Sequence, residues 1–355
     1  LGALVQKGEV IVAPLSFLAH LQASFSVSAG AVDPISDVIA SLDNSENYDI
    51  IEYDYITKTE RVIPWESIPD YSRTTTTTYE LASMQQVLSG RQTENTVSPF
   101  AIINPDDEFF LTPPKTSRGV PTTPYSGVVF ILAEIDSDHD GIVDKYERGT
   151  GFLVSPNVVV TCAHCVVATN KLNIVNVKIY PYTHQYERPD TTNNTYISPL
   201  SCTYSSDFVY YANRNERQQD YLDWAIITLQ SSIEGANNFA CSYNTSILTS
   251  DLLIRVSGYP RLEENDEDTK NYCYLTTTIG QVTEISTYTL SFDANMEGGN
   301  SGSPVYYNNT CYAICRGVYQ IPGTPLYNEG VKITQDLYNI CLLYTSPSPR
   351  DMRRS

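Results

Sequence analysis

The stretch Glu297-Gly298-Gly299-Asn300-Ser301-Gly302-Ser303-Pro304 sets Ser301 among glycines, just ahead of Val305-Tyr306-Tyr307, a short strand. Glycine lets a backbone turn tightly and lets a carbonyl group approach the main chain. A serine held in that way becomes a nucleophile only with a base beside it. The chain has four histidines, and one of them, His164, ends the run Val158-Val159-Val160-Thr161-Cys162-Ala163-His164-Cys165, read as a strand that delivers the imidazole. Between the two, Asp223-Trp224-Ala225-Ile226-Ile227-Thr228-Leu229 is an apolar strand opened by an aspartate. Base, orienting carboxylate and nucleophile are therefore all present, each at the end of a β-prone segment.

Working outward, Phe152-Leu153-Val154 and Val158-Val159-Val160 flank Ser155-Pro156-Asn157 as a hairpin, and Gly127 to Ala133 is a near-continuous apolar run of strand length. Leu252 to Ser257, Tyr274 to Thr278, Gly280 to Ile285, Thr287 to Phe292, Tyr312 to Tyr319 and Gly330 to Thr334 continue the β pattern. The order His-Asp-Ser, the Gly-x-Gly-Phe-Leu-Val and Val-Val-Thr-x-x-His-Cys layout, and the Gly258-Tyr259-Pro260 turn resemble the trypsin-like (chymotrypsin-fold) serine peptidases. Gly-Asn-Ser-Gly-Ser-Pro is similar to the bacterial glutamyl endopeptidase branch of that family.

The resemblance implies an all-β fold of two six-stranded antiparallel β-barrels, the first over about 120–230 and the second over about 231–341. It implies that Ser301 attacks a peptide carbonyl, that His164 takes and returns the proton, and that Asp223, with Asp220 as the alternative, orients the imidazole. The backbone N–H groups of Gly299 and Ser301 would then stabilise the oxyanion. Met296, Arg316 and Gly317 fall on the walls of the substrate pocket. Glutamyl endopeptidases carry a histidine where this chain has Gly317 or, with a one-residue shift, Arg316. Met296 and Gly317 suit a large apolar side chain before the scissile bond, whereas an inward Arg316 suits an acidic one. Relatives usually pair the cysteine after the histidine with one near 149–151, where this chain has glycines.

The net charge of −19, from 22 basic and 41 acidic residues, argues against nucleic acid or an anionic membrane surface as a partner. Eight cysteines, at 162, 165, 202, 241, 273, 311, 315 and 341, fit an oxidising compartment and disulfide formation. Cys162 and Cys165 lack the second pair that a zinc ribbon needs and read as structural thiols; a bond between them would be strained. Sequons begin at Asn193, Asn244 and Asn308. The expectation is a secreted monomer acting on protein or peptide substrates.

Asp136-Ser137-Asp138-His139-Asp140-Gly141-Ile142-Val143-Asp144-Lys145-Tyr146-Glu147 fits the twelve-residue calcium-loop pattern. Asp136, Asp138, Asp140, Asp144 and Glu147 offer carboxylates, Ile142 its carbonyl, and Gly141 the sharp turn. Strands rather than helices flank it, so a structural Ca²⁺ that stiffens a hairpin tip is the expectation, against a solvated acidic tip.

Upstream, 1–29 reads as a signal remnant or an ordinary buried segment, and its apolar run from Val10 to Leu21 is too short to span a bilayer. Residues 30–119 read as a loop-rich pro-region or linker, with an accessory β-module as the alternative. Within it, Ile50 to Ile56 and Glu60 to Pro64 form a small hairpin, Thr74 to Thr78 is a linker, and Arg91 and Arg118 are candidate processing sites. The basic, Ser/Pro-rich segment 342–355 reads as a non-native tail, with the usual final helix missing. Two other classes fit parts of the sequence: an inactive peptidase homologue, and a calcium-dependent extracellular binding protein. Neither accounts for the histidine and serine motifs as well as a zymogen serine endopeptidase does.

Overall fold

The computed structural model describes residues 2–6, 9–13, 48–70, 121–136, 138, 140–143, 145–167, 174–181, 195–208, 220–249, 252–260, 275–319 and 327–345. The chain divides into two units, Leu1–Asn47 and Tyr48–Ser355. In the first, β1 (Gly2–Gln6) and β2 (Glu9–Ala13) pair as an antiparallel hairpin. The polythreonine run, Arg91, Arg118, Asn193 and the acidic stretch 263–268 lie outside the described residues.

The larger unit has the expected all-β, two-barrel architecture. Its first sheet is built on β5 (Val128–Ile135), β6 (Lys145–Ser155), β7 (Val158–Thr161), β8 (Ile174–Pro181), β9 (Pro199–Ser205) and β10 (Ala225–Leu229), in the order β9-β10-β7-β6-β5-β8. The sheet curls back on itself, because Ile179 in β8 bridges Ile197, just ahead of β9, through two hydrogen bonds of 3.0 and 2.8 Å. The β-branched run Val158-Val159-Val160 is wholly buried, as is Phe152-Leu153 opposite it. Branched side chains fit a pleated surface covered on both faces.

The second sheet comprises β11 (Ala240–Cys241), β12 (Leu253–Gly258), β13 (Thr276–Ile285), β14 (Thr289–Phe292), β15 (Pro304–Tyr307), β16 (Thr310–Tyr319) and β17 (Tyr327–Lys332). The order β16-β15-β12-β13-β14-β17 closes into a ring through the β16–β17 pairing. The two sequence segments meeting at Ile279 are one strand, since β13 runs unbroken from Thr276 to Ile285. The backbone of Ala294 packs where Gly280 would carry a side chain, 2.3 Å from an added Cβ.

Two further elements join this unit. The hairpin of β3 (Ile50–Asp54) and β4 (Thr59–Ile63) extends the first sheet by pairing β3 with β9. Its turn forms where the Asp54 carboxylate accepts the N–H groups of Ile56 and Thr57, both at 2.8 Å, so the strand stops two residues earlier than its apolar pattern implies. Ile50 is fully buried, and Tyr48 packs its ring against Trp65 and Trp224. The second element is α1 (Gln335–Thr345), a final helix where the character of the tail predicts none. Leu337, Ile340 and Cys341 are buried in the core, and the helix runs on through 342–345, where the Tyr344 hydroxyl donates to Glu52 at 2.7 Å. Residues 346–355 lie outside the described residues. Among the described residues, no helix is long and apolar enough to cross a membrane.

Candidate active site

His164 stands not at the end of a strand but on a 3₁₀ turn, Ala163–Cys165, because β7 leaves the sheet after Thr161. The turn frees the His164 N–H from the sheet, and that N–H donates to Asp223 Oδ1 at 2.9 Å. The ring completes the pair, with Nδ1 2.7 Å from Asp223 Oδ2. A carboxylate only accepts, so Nδ1 carries a proton, and in the neutral ring Nε2 is then the nitrogen with the lone pair. Asp223 lies between a second 3₁₀ turn, Asp220–Leu222, and β10. Tyr221 in that turn stacks on Tyr288 of the second barrel, centroids 4.5 Å apart and rings at 24°, while Trp224 is buried in the core. The aspartate is thus anchored on both sides, and it is Asp223 that meets the imidazole.

Ser301 rides on a loop with two left-handed glycines, Gly299 (φ 100°) and Gly302 (φ 87°). At Gly302 an added Cβ would lie 1.9 Å from the Thr150 carbonyl oxygen, so both conformation and space demand glycine. The Ser301 carbonyl accepts the Thr150 N–H at 2.8 Å and the Cys165 thiol at 3.5 Å, which brings the serine beside the histidine turn. Its hydroxyl donates to the Arg316 carbonyl at 3.2 Å rather than to the imidazole. The N–H groups of Gly299 and Ser301 donate to no other described residue, which leaves both for a ligand oxygen.

Thr150 is the residue that reading by motif missed. It is fully buried. Its hydroxyl donates to the Gly299 carbonyl at 2.8 Å and accepts the Tyr259 N–H at 3.0 Å, and its own carbonyl accepts the Thr161 hydroxyl at 2.7 Å. One side chain of the first barrel therefore sets the nucleophile loop and the Gly-Tyr-Pro turn of the second. The sequence signal was slight: a threonine between two glycines, just ahead of the apolar run Phe152-Leu153-Val154.

Burial is the largest influence on His164 and disfavours its cation. The Asp223 carboxylate outweighs it, with further help from Cys165 and Cys162, and holds the imidazole well above its ordinary value. Burial likewise works against the Asp223 anion, but His164, and then Arg316, hold that carboxyl below the usual range. The Cys162 thiol donates to the Cys315 carbonyl at 3.1 Å, and burial pushes its pKa up to about 12, so it stays neutral. The seven described cysteines are all free thiols; Cys273 lies outside the described residues.

Of the expected pocket residues, Gly317 has open space where a Cβ would stand, and the Met296 sulfur touches the Cys315 sulfur at 3.2 Å. The Arg316 guanidinium lies against Asp223 and Glu329, with Nε 3.3 Å from Asp223 Oδ2 and an outer nitrogen 3.7 Å from the Glu329 carboxylate. In the β5–β6 connection, carboxylate oxygens of Asp136, Asp138 and Asp140 lie within 4.8 Å of one another. Asp136 also accepts the N–H groups of Asp140 and Gly141, and Ile142 N–H goes to Asp140. Glu147 pairs with Lys145 instead of joining them, and Asp144 lies outside the described residues.

Residues 149–311 match the family model of the trypsin-like peptidase domain. The chain is 23% identical over 224 residues to a glutamyl endopeptidase of Bacillus licheniformis, covering 61% of this chain and 62% of that one. It is 28% identical over 196 residues to an extracellular metalloprotease of Bacillus subtilis, covering 54% and 56%. The chain thus spans about three fifths of the length of these curated relatives. A solved glutamyl endopeptidase structure with bound MPD aligns at 21% identity with a TM-score of 0.49, covering 67% of this chain and 98% of that one.

Proposed function

We propose that this chain, which carries a trypsin-like peptidase domain, is a secreted serine endopeptidase made as a zymogen. One observation carries the reading. His164 and Asp223 share two hydrogen bonds in the geometry of a general base and its orienting carboxylate, and Ser301 is tied by its own backbone to the same turn.

In this reading the Ser301 hydroxyl swings from the Arg316 carbonyl toward Nε2 of His164, gives up its proton and attacks the scissile carbonyl. The Gly299 and Ser301 N–H groups receive the oxyanion. His164 then protonates the leaving amine, and water reverses the sequence to release the acid. Asp223 stabilises the imidazolium without taking its proton.

The Bacillus licheniformis relative is named for glutamate. Here the Arg316 charge is engaged by two carboxylates, while Gly317 has open space where a side chain would stand and Met296 packs its thioether on Cys315. We therefore assign this chain a large apolar residue before the scissile bond. The converging carboxylates of Asp136, Asp138 and Asp140 support a structural Ca²⁺ at the hairpin tip. That cation stiffens the loop and takes no part in the chemistry.

The test is labelling by a fluorophosphonate, alongside Ser301→Ala, before and after limited proteolysis, followed by a peptide library. Labelling that needs Ser301 and rises on cleavage supports the zymogen enzyme. Labelling without cleavage keeps the enzyme and removes the zymogen. A folded sample that never labels makes this an inactive homologue. Cleavage confined to glutamate overturns the apolar assignment.

A further inference from the structure

We propose that Arg316 is a positioning residue that sets the basicity of His164 by holding a fixed positive charge against Asp223. The inference rests on the serine-peptidase reading of the site, and it begins with a strand irregularity. In the β16–β17 ladder Cys315 pairs with Gly330 and Gly317 with Glu329, so Arg316 is an extra residue opposite no partner. A bulge of this kind rotates one side chain out of the alternation of the strand. Here it leaves the Arg316 carbonyl for the Ser301 hydroxyl and brings the guanidinium to the Asp223 carboxylate.

The contact is one of charge more than of hydrogen bonding. Nε lies 3.3 Å from Oδ2, an ion-pair contact between guanidinium and carboxylate. Both side chains are largely withdrawn from solvent, at 27% and 6% exposure, so the field is weakly screened. Asp223 thus faces two cationic partners, the imidazolium and the guanidinium, and the second weakens its hold on the first. Glu329, on the far side of Arg316, draws part of that charge away. The other groups facing the imidazole are the thiols Cys162 and Cys165, on its own turn and just before it, and Cys315 on β16. Burial keeps Cys162 and Cys315 neutral. The groups that set the base are therefore Asp223, Arg316 and Glu329, with Cys165 beside the ring acting in the same sense as Asp223. Such a base stays unprotonated at lower pH than one paired with an aspartate alone.

The test reads His164 directly. In a Ser301→Ala background the imidazole is titrated by NMR, its signal identified by loss in His164→Gln, with thermal melting as the control for folding. Arg316→Gln raises the titration midpoint by on the order of one pH unit. Arg316→Lys, which keeps the charge, restores most of the original midpoint, and Glu329→Gln moves it down. The acid limb of kcat/KM follows in the same directions when Ser301 is present. If Arg316→Gln leaves the midpoint in place, or if Gln rescues as well as Lys, the charge role is wrong. Because the titration needs no turnover, a protein that fails to label with fluorophosphonate still tests Arg316. An active enzyme whose His164 ignores Arg316 sinks this inference alone.

Discussion

At the residue scale, the base and its carboxylate determine how the molecule answers to pH. His164 holds its proton more tightly in the folded chain than in the unfolded one. It therefore contributes stability below about pH 6.5, which is lost as pH rises through the folded value. Asp223 contributes in the opposite sense: its stability is present above its unfolded value and lost as pH falls through the lowered folded one. Catalysis needs the unprotonated imidazole, so kcat/KM is expected to rise along an acid limb centred above pH 6.5; a limb centred below it would contradict this electrostatic reading. Cys165 gives a second prediction. A Cβ at Gly149 would lie 2.6 Å from its sulfur, closer than a free side chain tolerates but near what a covalent bridge requires. Gly149→Cys should therefore bond to Cys165 with a small shift and stabilise the fold by about 3 kcal/mol. Thiol titration and the denaturation midpoint check it, and a persistent free thiol at 149 refutes it. The letters of the site were legible because His164, Asp223 and Ser301 each bring their own neighbours along the chain. Thr150 and the direction of Arg316 were not. The first acts on backbone 149 residues away, and the second depends on a bulge that only strand pairing defines.

At the scale of elements, the fold was readable wherever apolar runs met turn residues, and misread where tertiary contact moved an end. The β3–β4 hairpin was visible in sequence, yet nothing local said that β3 would become a neighbour of β9. Its partner lies about 150 residues downstream, and alternation alone does not name a partner. That pairing makes Ile50 a core residue. Ile50→Ala should cost about 2–5 kcal/mol in chemical denaturation. Val62→Ala on the exposed strand of the same hairpin should stay within about 0.5 kcal/mol. Equal, small effects would mean that the hairpin is not part of the core. The β5–β6 connection makes a different prediction. Three converging carboxylates repel one another without a cation, so millimolar Ca²⁺ should raise the melting temperature, and Asp138→Asn should blunt the rise. A melting temperature indifferent to Ca²⁺ and chelator leaves only a solvated acidic tip.

At the scale of the whole molecule, the links between the two barrels include Thr150 to the Gly299 carbonyl, Tyr221 on Tyr288, Cys162 to the Cys315 carbonyl and Arg316 on Asp223. All of them involve or lie next to residues flanking His164, Asp223 or Ser301, so relative movement of the barrels would be felt first as a misaligned candidate site. The β3–β4 hairpin adds a consequence of another kind. It is built into the first sheet, and Glu52 holds the final helix through Tyr344, while the strands of the two barrels begin only at Val128. No cysteine precedes Cys162, so no covalent tie beyond the peptide chain joins the hairpin to the rest. Under the proposed zymogen reading, a single cut between residues 70 and 121 would leave a nicked, two-piece molecule whose short fragment stays in place by strand pairing. Such a product should run as two bands on a denaturing gel, with or without reductant, and elute as one species from a sizing column. If the short piece leaves instead, the first barrel is complete without it and the hairpin was a passenger.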